Sequence, residues 1–245
     1  MKKTYKLSVL MLAFLLILGL FTGCEKSDSL IMATNAEFPP YEYYEGSDIV
    51  GIDVEIAQAI ADKLGKELVI EDIAFDSIIA SVQSGKADMG VAGMTVRPDR
   101  LENVDFSDSY ITASQVIIIH KDNTDIESPD DLVGKTVGVQ LGTTGDIYAE
   151  DIDDVSLERY NKGFEAVQAL QQNKIDAVII DDQPAAFFAA QNPDIKVIDE
   201  PFTVEDYAIA VKKGNSKLLE DINEAIADLK TSGKLQEIFD KYISD

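Results

Sequence analysis

One histidine, one cysteine and no tryptophan occur among the 245 residues. A single imidazole leaves no partner for a histidine-based metal cluster. A Ser-His-Asp hydrolase would have to use His120, which closes the apolar run Val116-Ile117-Ile118-Ile119 and reads as the polar end of a buried strand. Neither a G-x-S-x-G elbow nor a G-x-x-x-x-G-K-S/T phosphate loop occurs. Basic residues are scarce as well, with 21 Lys and Arg against 45 Asp and Glu. That balance excludes a nucleic-acid partner, because phosphate backbones require Lys and Arg surfaces. It also opposes docking on anionic lipid through charge alone. The acids read as a solvated surface rather than a metal store, and no metal or cofactor is expected. Any catalysis would rest on carboxylates, hydroxyls and arginine.

The N-terminus places Lys2, Lys3 and Lys6 before an apolar run over 7–21, followed by Thr22-Gly23-Cys24. Basic, apolar and small residues in that order form a secretory signal. The run falls short of the ~20 apolar residues that span a bilayer. The sole cysteine follows a small residue, where bacterial lipoprotein signals are cut and lipidated, although Phe21 stands where Leu is usual. Residues 1–23 are therefore expected to be a signal peptide and Cys24 a lipid attachment point. Residues 24–29 would be a tether, on an extracytoplasmic protein held to the membrane by its lipid. With the three signal lysines removed, the remaining charge is 18 − 45 = −27.

Past residue 29, short β-rich runs alternate with helix-period runs. The pattern predicts strands over 30–34, 68–73 and 89–94, and helices over 54–64 and 77–83. Such alternation predicts an α/β fold with largely parallel, covered sheets. Phe75-Asp76-Ser77-Ile78-Ile79 through Ala87-Asp88 and Phe164-Glu165-Ala166-Val167 through Ile175-Asp176 align with one residue of slippage. Each gives a helix, a polar turn, an Asp and a strand, which predicts two equivalent lobes facing a cleft. Two C-terminal helices, the first capped by Asn215 or Ser216, read as core packing.

Three strand-end loops carry chemistry. Gly93-Met94-Thr95-Val96-Arg97-Pro98-Asp99-Arg100 offers a hydroxyl and two guanidinium groups. A guanidinium fork holds a carboxylate through paired charged hydrogen bonds; the competing reading pairs the arginine with Asp105 or Asp108. Gln140-Leu141-Gly142-Thr143-Thr144 precedes a helix whose first amides suit an anion, or it is an ordinary cap. Asp181 and Asp182 follow a buried strand, where a carboxylate suits an ammonium; for Asp182 a helix-capping role is preferred. Together the loops suit a zwitterion.

These motifs, with Gly51-Ile52-Asp53-Val54-Glu55-Ile56, Val104-Asp105-Phe106-Ser107-Asp108 and Asp176-Ala177-Val178, resemble the bacterial extracellular solute-binding proteins, family 3. The resemblance covers the chain beyond the tether. It implies a two-lobed, periplasmic-binding-protein-like (type II) fold whose hinge is crossed twice. Lobe 1 would comprise 30–114 and 207–245, and lobe 2 residues 115–206. It implies a monomeric, non-enzymatic receptor that delivers a free L-amino acid to an ABC transporter permease and ATPase. By the same resemblance Arg100 clamps the α-carboxylate, helped by Thr95 and the Thr144 amide, and Thr143 of the same turn is a further ligand-binding residue. Gly93 and Asp181 would hold the ammonium, and Phe38 and Phe75 would flank the side chain, although Phe75 also fits a core position. Asn35 stands where binders of basic amino acids often carry Asp, which counts against lysine or arginine; Glu37 and Gln140 offer compensation. A cyclohexadienyl-dehydratase-like enzyme is the alternative on this fold, and a sensor or adhesin a third class.

Overall fold

The computed structural model describes residues 29–198 and 200–243. The expected signal peptide, Cys24 and all but the last residue of the tether lie outside the described residues. Among the described residues no helix is long and apolar enough to cross a membrane.

In chain order the elements are β1 (Ser29–Thr34), β2 (Glu37–Phe38), β3 (Glu42–Glu45), β4 (Asp48–Val50), α1 (Ile52–Leu64), β5 (Glu67–Asp72), α2 (Phe75–Ser84), β6 (Met89–Gly90), α3 (Pro98–Leu101) and β7 (Val104–Phe106). They continue with β8 (Ile111–His120), β9 (Thr136–Gln140), α4 (Thr144–Glu150), β10 (Ser156–Tyr160), α5 (Gly163–Gln171), β11 (Ala177–Asp181), α6 (Asp182–Gln191), β12 (Ile195–Val197), β13 (Thr203–Tyr207), β14 (Ala210–Lys212), α7 (Ser216–Ser232) and α8 (Lys234–Tyr242). One sheet has the order β5-β1-β6-β14-β7, and a second runs β10-β9-β11-β8-β12 with β13 also paired to β8. The chain passes from the first sheet to the second between β7 and β8. It returns between β13 and β14.

Each sheet carries three parallel strands, β5-β1-β6 and β10-β9-β11. The strands around the crossings, β8, β13 and β14, are antiparallel to their neighbours. A chain that leaves a sheet and returns arrives in the opposite sense, so the sheets are less uniformly parallel than alternation alone predicts. Along β8, Ile117 and Ile119 pack into one apolar cluster while Val116 and Ile118 pack into another. Burial on both faces explains why this run is apolar at consecutive positions. Each such side chain contributes roughly 1.5–3 kcal/mol by leaving water.

The repeated helix–turn–Asp–strand unit has a shared geometry. Asp88 N–H donates to the Ile31 carbonyl at 2.9 Å, and Asp88 Oδ2 accepts from Ile31 N–H at 2.8 Å. Asp176 makes the same two bonds to Thr136, both at 2.8 Å. In each sheet the Asp fastens the helix-to-strand turn to the neighbouring parallel strand. The expected strand over 89–94 is shorter. It ends at Gly90, and the chain turns away through Gly93, whose φ of +50° is a left-handed conformation.

Candidate functional site

The turn after β6 brings the first group to the space between the sheets. Arg97 is extended and Pro98 opens α3, its fixed φ suiting a first helical position. This short helix carries Arg100 inward, where it is 6% exposed. Arg100 Nη1 donates to the Thr95 carbonyl at 2.8 Å and Nη2 to the Gly142 carbonyl at 3.0 Å. The guanidinium lies over the Phe75 ring, 5.4 Å from its centre. Burial lowers its pKa to about 10, with the nearby Arg97 adding to the effect, so it stays charged at neutral pH. Asp105 instead accepts from Gly214 N–H at 2.7 Å, and Arg97 takes an ion pair with Asp99.

Asp181 ends β11 in the second sheet and is 5% exposed. Its Oδ1 accepts from the Tyr207 hydroxyl. Burial raises its pKa to about 7, opposed by the tyrosine bond and reinforced by Glu205. Asp182 opens α6, where it accepts from the Ser114 hydroxyl at 3.0 Å and from Gln183 N–H.

Asn35, Phe38, Phe75, Gly93, Thr95, Arg100, Gln140, Thr143, Thr144 and Asp181 all line one cavity, with Glu42 and Ala92. Gln140 Nε2 donates across the cleft to Asn35 Oδ1 at 2.9 Å and to the Asn161 carbonyl at 3.2 Å. Asn35 Nδ2 donates to the Ile73 carbonyl at 2.8 Å. Both Gln140 donors and one of the two Asn35 donors are thus engaged, and Asn35 Oδ1 already accepts from Gln140. Glu37 is absent from this lining and pairs with Lys162 of the other lobe.

The Thr95 hydroxyl is engaged within the protein, whereas the contact expected of Thr144 is that of its backbone amide. Thr143 donates to the Gln140 carbonyl at 2.8 Å and caps α4 by accepting from Asp146 N–H. Thr95 and Thr144 both donate to Glu205 Oε2, at 2.7 and 2.8 Å. A hydroxyl has one proton, so neither side chain is left to donate to an anion, and Arg100 is the cation among the residues that line the cavity. Glu205, on β13, also accepts from Gln115 Nε2 at 3.2 Å and so joins groups from both lobes.

Sequence reasoning missed Glu205, Glu42 and the buried role of Asp53. Asp53, fully buried in the first turn of α1, accepts from Gly93 N–H at 2.8 Å and from the Tyr110 hydroxyl at 2.8 Å. Burial raises its pKa to about 6, opposed by these bonds and by one from Glu42.

Residues 30–245 match the family described as bacterial extracellular solute-binding proteins, family 3. The arginine-binding extracellular protein ArtP of Bacillus subtilis (strain 168) is 36% identical over 91% of this chain and 92% of its own length. A solved ancestral arginine-binding protein bound to arginine is 40% identical with a TM-score of 0.86, covering 89% of this chain and 99% of that one. A solved ancestral arginine-binding protein bound to glutamine is likewise 40% identical with a TM-score of 0.86, covering 90% of this chain and 100% of that one. The ancestral amino acid-binding protein AncCDT-1, a precursor of cyclohexadienyl dehydratase, is 32% identical with a TM-score of 0.84, covering 89% and 96%. The match spans both sheets and every loop that lines the cavity, and the chain belongs to the bacterial extracellular solute-binding proteins, family 3.

Proposed function

We propose that this chain is the lipid-anchored receptor of an ABC importer, closing over a free L-amino acid, with arginine as its first candidate. The observation that carries the reading is one cavity faced by a buried guanidinium from the first lobe and a buried carboxylate from the second. Opposite charges on opposite walls fit a zwitterion, whose carboxylate meets Arg100 and whose ammonium meets Asp181 and the Gly93 carbonyl. A ligand that bridges the lobes stabilises the closed form by as much as it prefers that form.

Arginine is favoured by Asn35 and Gln140, which line the cavity with amide oxygens able to accept from a donor-rich guanidinium. The arginine-binding relatives support the same choice. Glutamine is a second reading, because an amide NH₂ suits the same acceptors and an ancestral arginine-binding relative is solved bound to it. Calorimetry with arginine, lysine and glutamine tests the proposal. Arginine should bind most tightly, while a tight glutamine complex with no arginine binding selects the second reading. Failure of every free amino acid to bind would overturn both. Incubation with a prephenate-like dianion should give no turnover, and observed turnover would select the enzyme.

A further inference from the structure

An ammonium group presents three N–H donors. The zwitterion reading supplies two acceptors, the Asp181 carboxylate and the Gly93 carbonyl. Glu42, at the start of β3, lines the same cavity and is 1% exposed. Its Oε2 is buried without a hydrogen-bond partner. Its carboxyl is hydrogen-bonded to Asp53, and Asp53 accepts from Gly93 N–H. Asp53 thus links Glu42 to the Gly93 amide, and Glu42, Gly93 and Asp181 line the same cavity.

Two hydrogen-bonded carboxyl groups require a proton between them. Asp53 already accepts from Gly93 N–H and the Tyr110 hydroxyl, and both bonds favour its ionised form. The proton therefore belongs to Glu42. The groups that act on Glu42 from neighbouring elements are also acids: Asp53 on α1, Asp72 on β5 and Asp181 on β11. Tyr41, next in the chain, brings another hydroxyl that lacks a partner. Burial and these charges hold the Glu42 carboxyl well above the usual carboxylate range. A neutral acid that donates through one oxygen keeps the other as a carbonyl-type acceptor.

We infer that Glu42 is a further contact of the ammonium subsite, a neutral acid whose cavity-facing carboxyl oxygen accepts the third ammonium N–H of the bound amino acid. The inference rests on the zwitterion reading and adds to it a residue that acts as an acceptor without carrying charge. Glutamine reproduces that arrangement, its amide nitrogen donating to Asp53 and its oxygen facing the ligand. Leucine keeps the volume and removes the acceptor.

The test compares L-arginine with guanidinovalerate, the same chain without its α-ammonium, by calorimetry on the wild type, Glu42→Gln and Glu42→Leu. Glutamine and glutaramate form a parallel pair, and thermal melts establish that each variant is folded. Glu42→Gln should hold the affinity for arginine within about threefold, whereas Glu42→Leu should lower it about tenfold or more. Guanidinovalerate should bind the Leu variant within about threefold of wild type. Equal losses for both ligands would overturn the inference in favour of a packing role. So would a Gln variant as weak as the Leu variant, or a Leu variant with unchanged arginine binding. Absence of wild-type binding to any free amino acid would overturn the zwitterion reading, and this inference with it.

Discussion

Arg100 holds two backbone carbonyls, one in each lobe, through separate nitrogens of one planar group. A lysine at this position keeps the charge and loses the fork. Arg100→Lys is expected to weaken amino-acid binding by roughly 2–5 kcal/mol, the range for truncating one partner of a buried charged pair. Calorimetry checks it, and unchanged affinity would remove Arg100 from the site. Asp181 gives a pH dependence of definite sign. Its pKa of about 7 in the folded protein exceeds the ordinary carboxylate value, so the folded state binds the extra proton. Its contribution to stability is complete below the unfolded pKa and declines as pH rises through about 7. Ligand binding has the opposite trend, because an ammonium favours the ionised carboxylate. Affinity should therefore fall by up to about tenfold per pH unit as pH drops below this pKa. Asp181→Asn should abolish that slope in a calorimetric pH series.

Strand β13 shows how an element inverts its hydropathy. Val204 is 67% exposed while Glu205 is 5% exposed. Pairing to β8 sets Glu205 opposite Ala113 and Val204 opposite Ser114, and successive residues must face opposite sides of the sheet. The acid is retained inside by the two threonine hydroxyls and Gln115 that donate to it. Val204→Lys is accordingly expected to change unfolding free energy by less than about 0.5 kcal/mol. Glu205→Ala leaves three buried donors without their acceptor and should cost at least about 1–3 kcal/mol. Urea denaturation of both variants separates these outcomes; equal effects would contradict the register.

At the scale of the molecule, closure is held by contacts that cross the cleft at different depths. Gln140 to Asn35 and Arg100 to Gly142 lie at the cavity, and Lys162 pairs with Glu37 away from it. Both members of that outer ion pair are partly exposed, so it should contribute only about 0–1 kcal/mol. Lys162→Ala is expected to raise the ligand dissociation rate no more than about fivefold, with a smaller effect at high salt. Stopped-flow release measured over a salt series checks this, and a loss independent of salt would indicate a packing role. Small-angle scattering should show contraction on ligand addition in the wild type and in this variant.

The sequence by itself determined the alternation of strands and helices, the two-lobed architecture through its family resemblance, and ten positions that prove to line one cavity. These features are local: helix period, Gly and Pro punctuation, and the repeated Asp that follows each helix and turn. Tertiary structure alone decided that β6 ends at Gly90, that the Thr95 and Thr144 hydroxyls turn to Glu205, and that Glu37 leaves the site for Lys162. It also decided that Glu42, Asp53 and Glu205 are interior acids. Among 45 acidic residues, a buried carboxyl has the same letter as a solvated one. Only the strand register and the donors brought from distant segments fix which acids leave water.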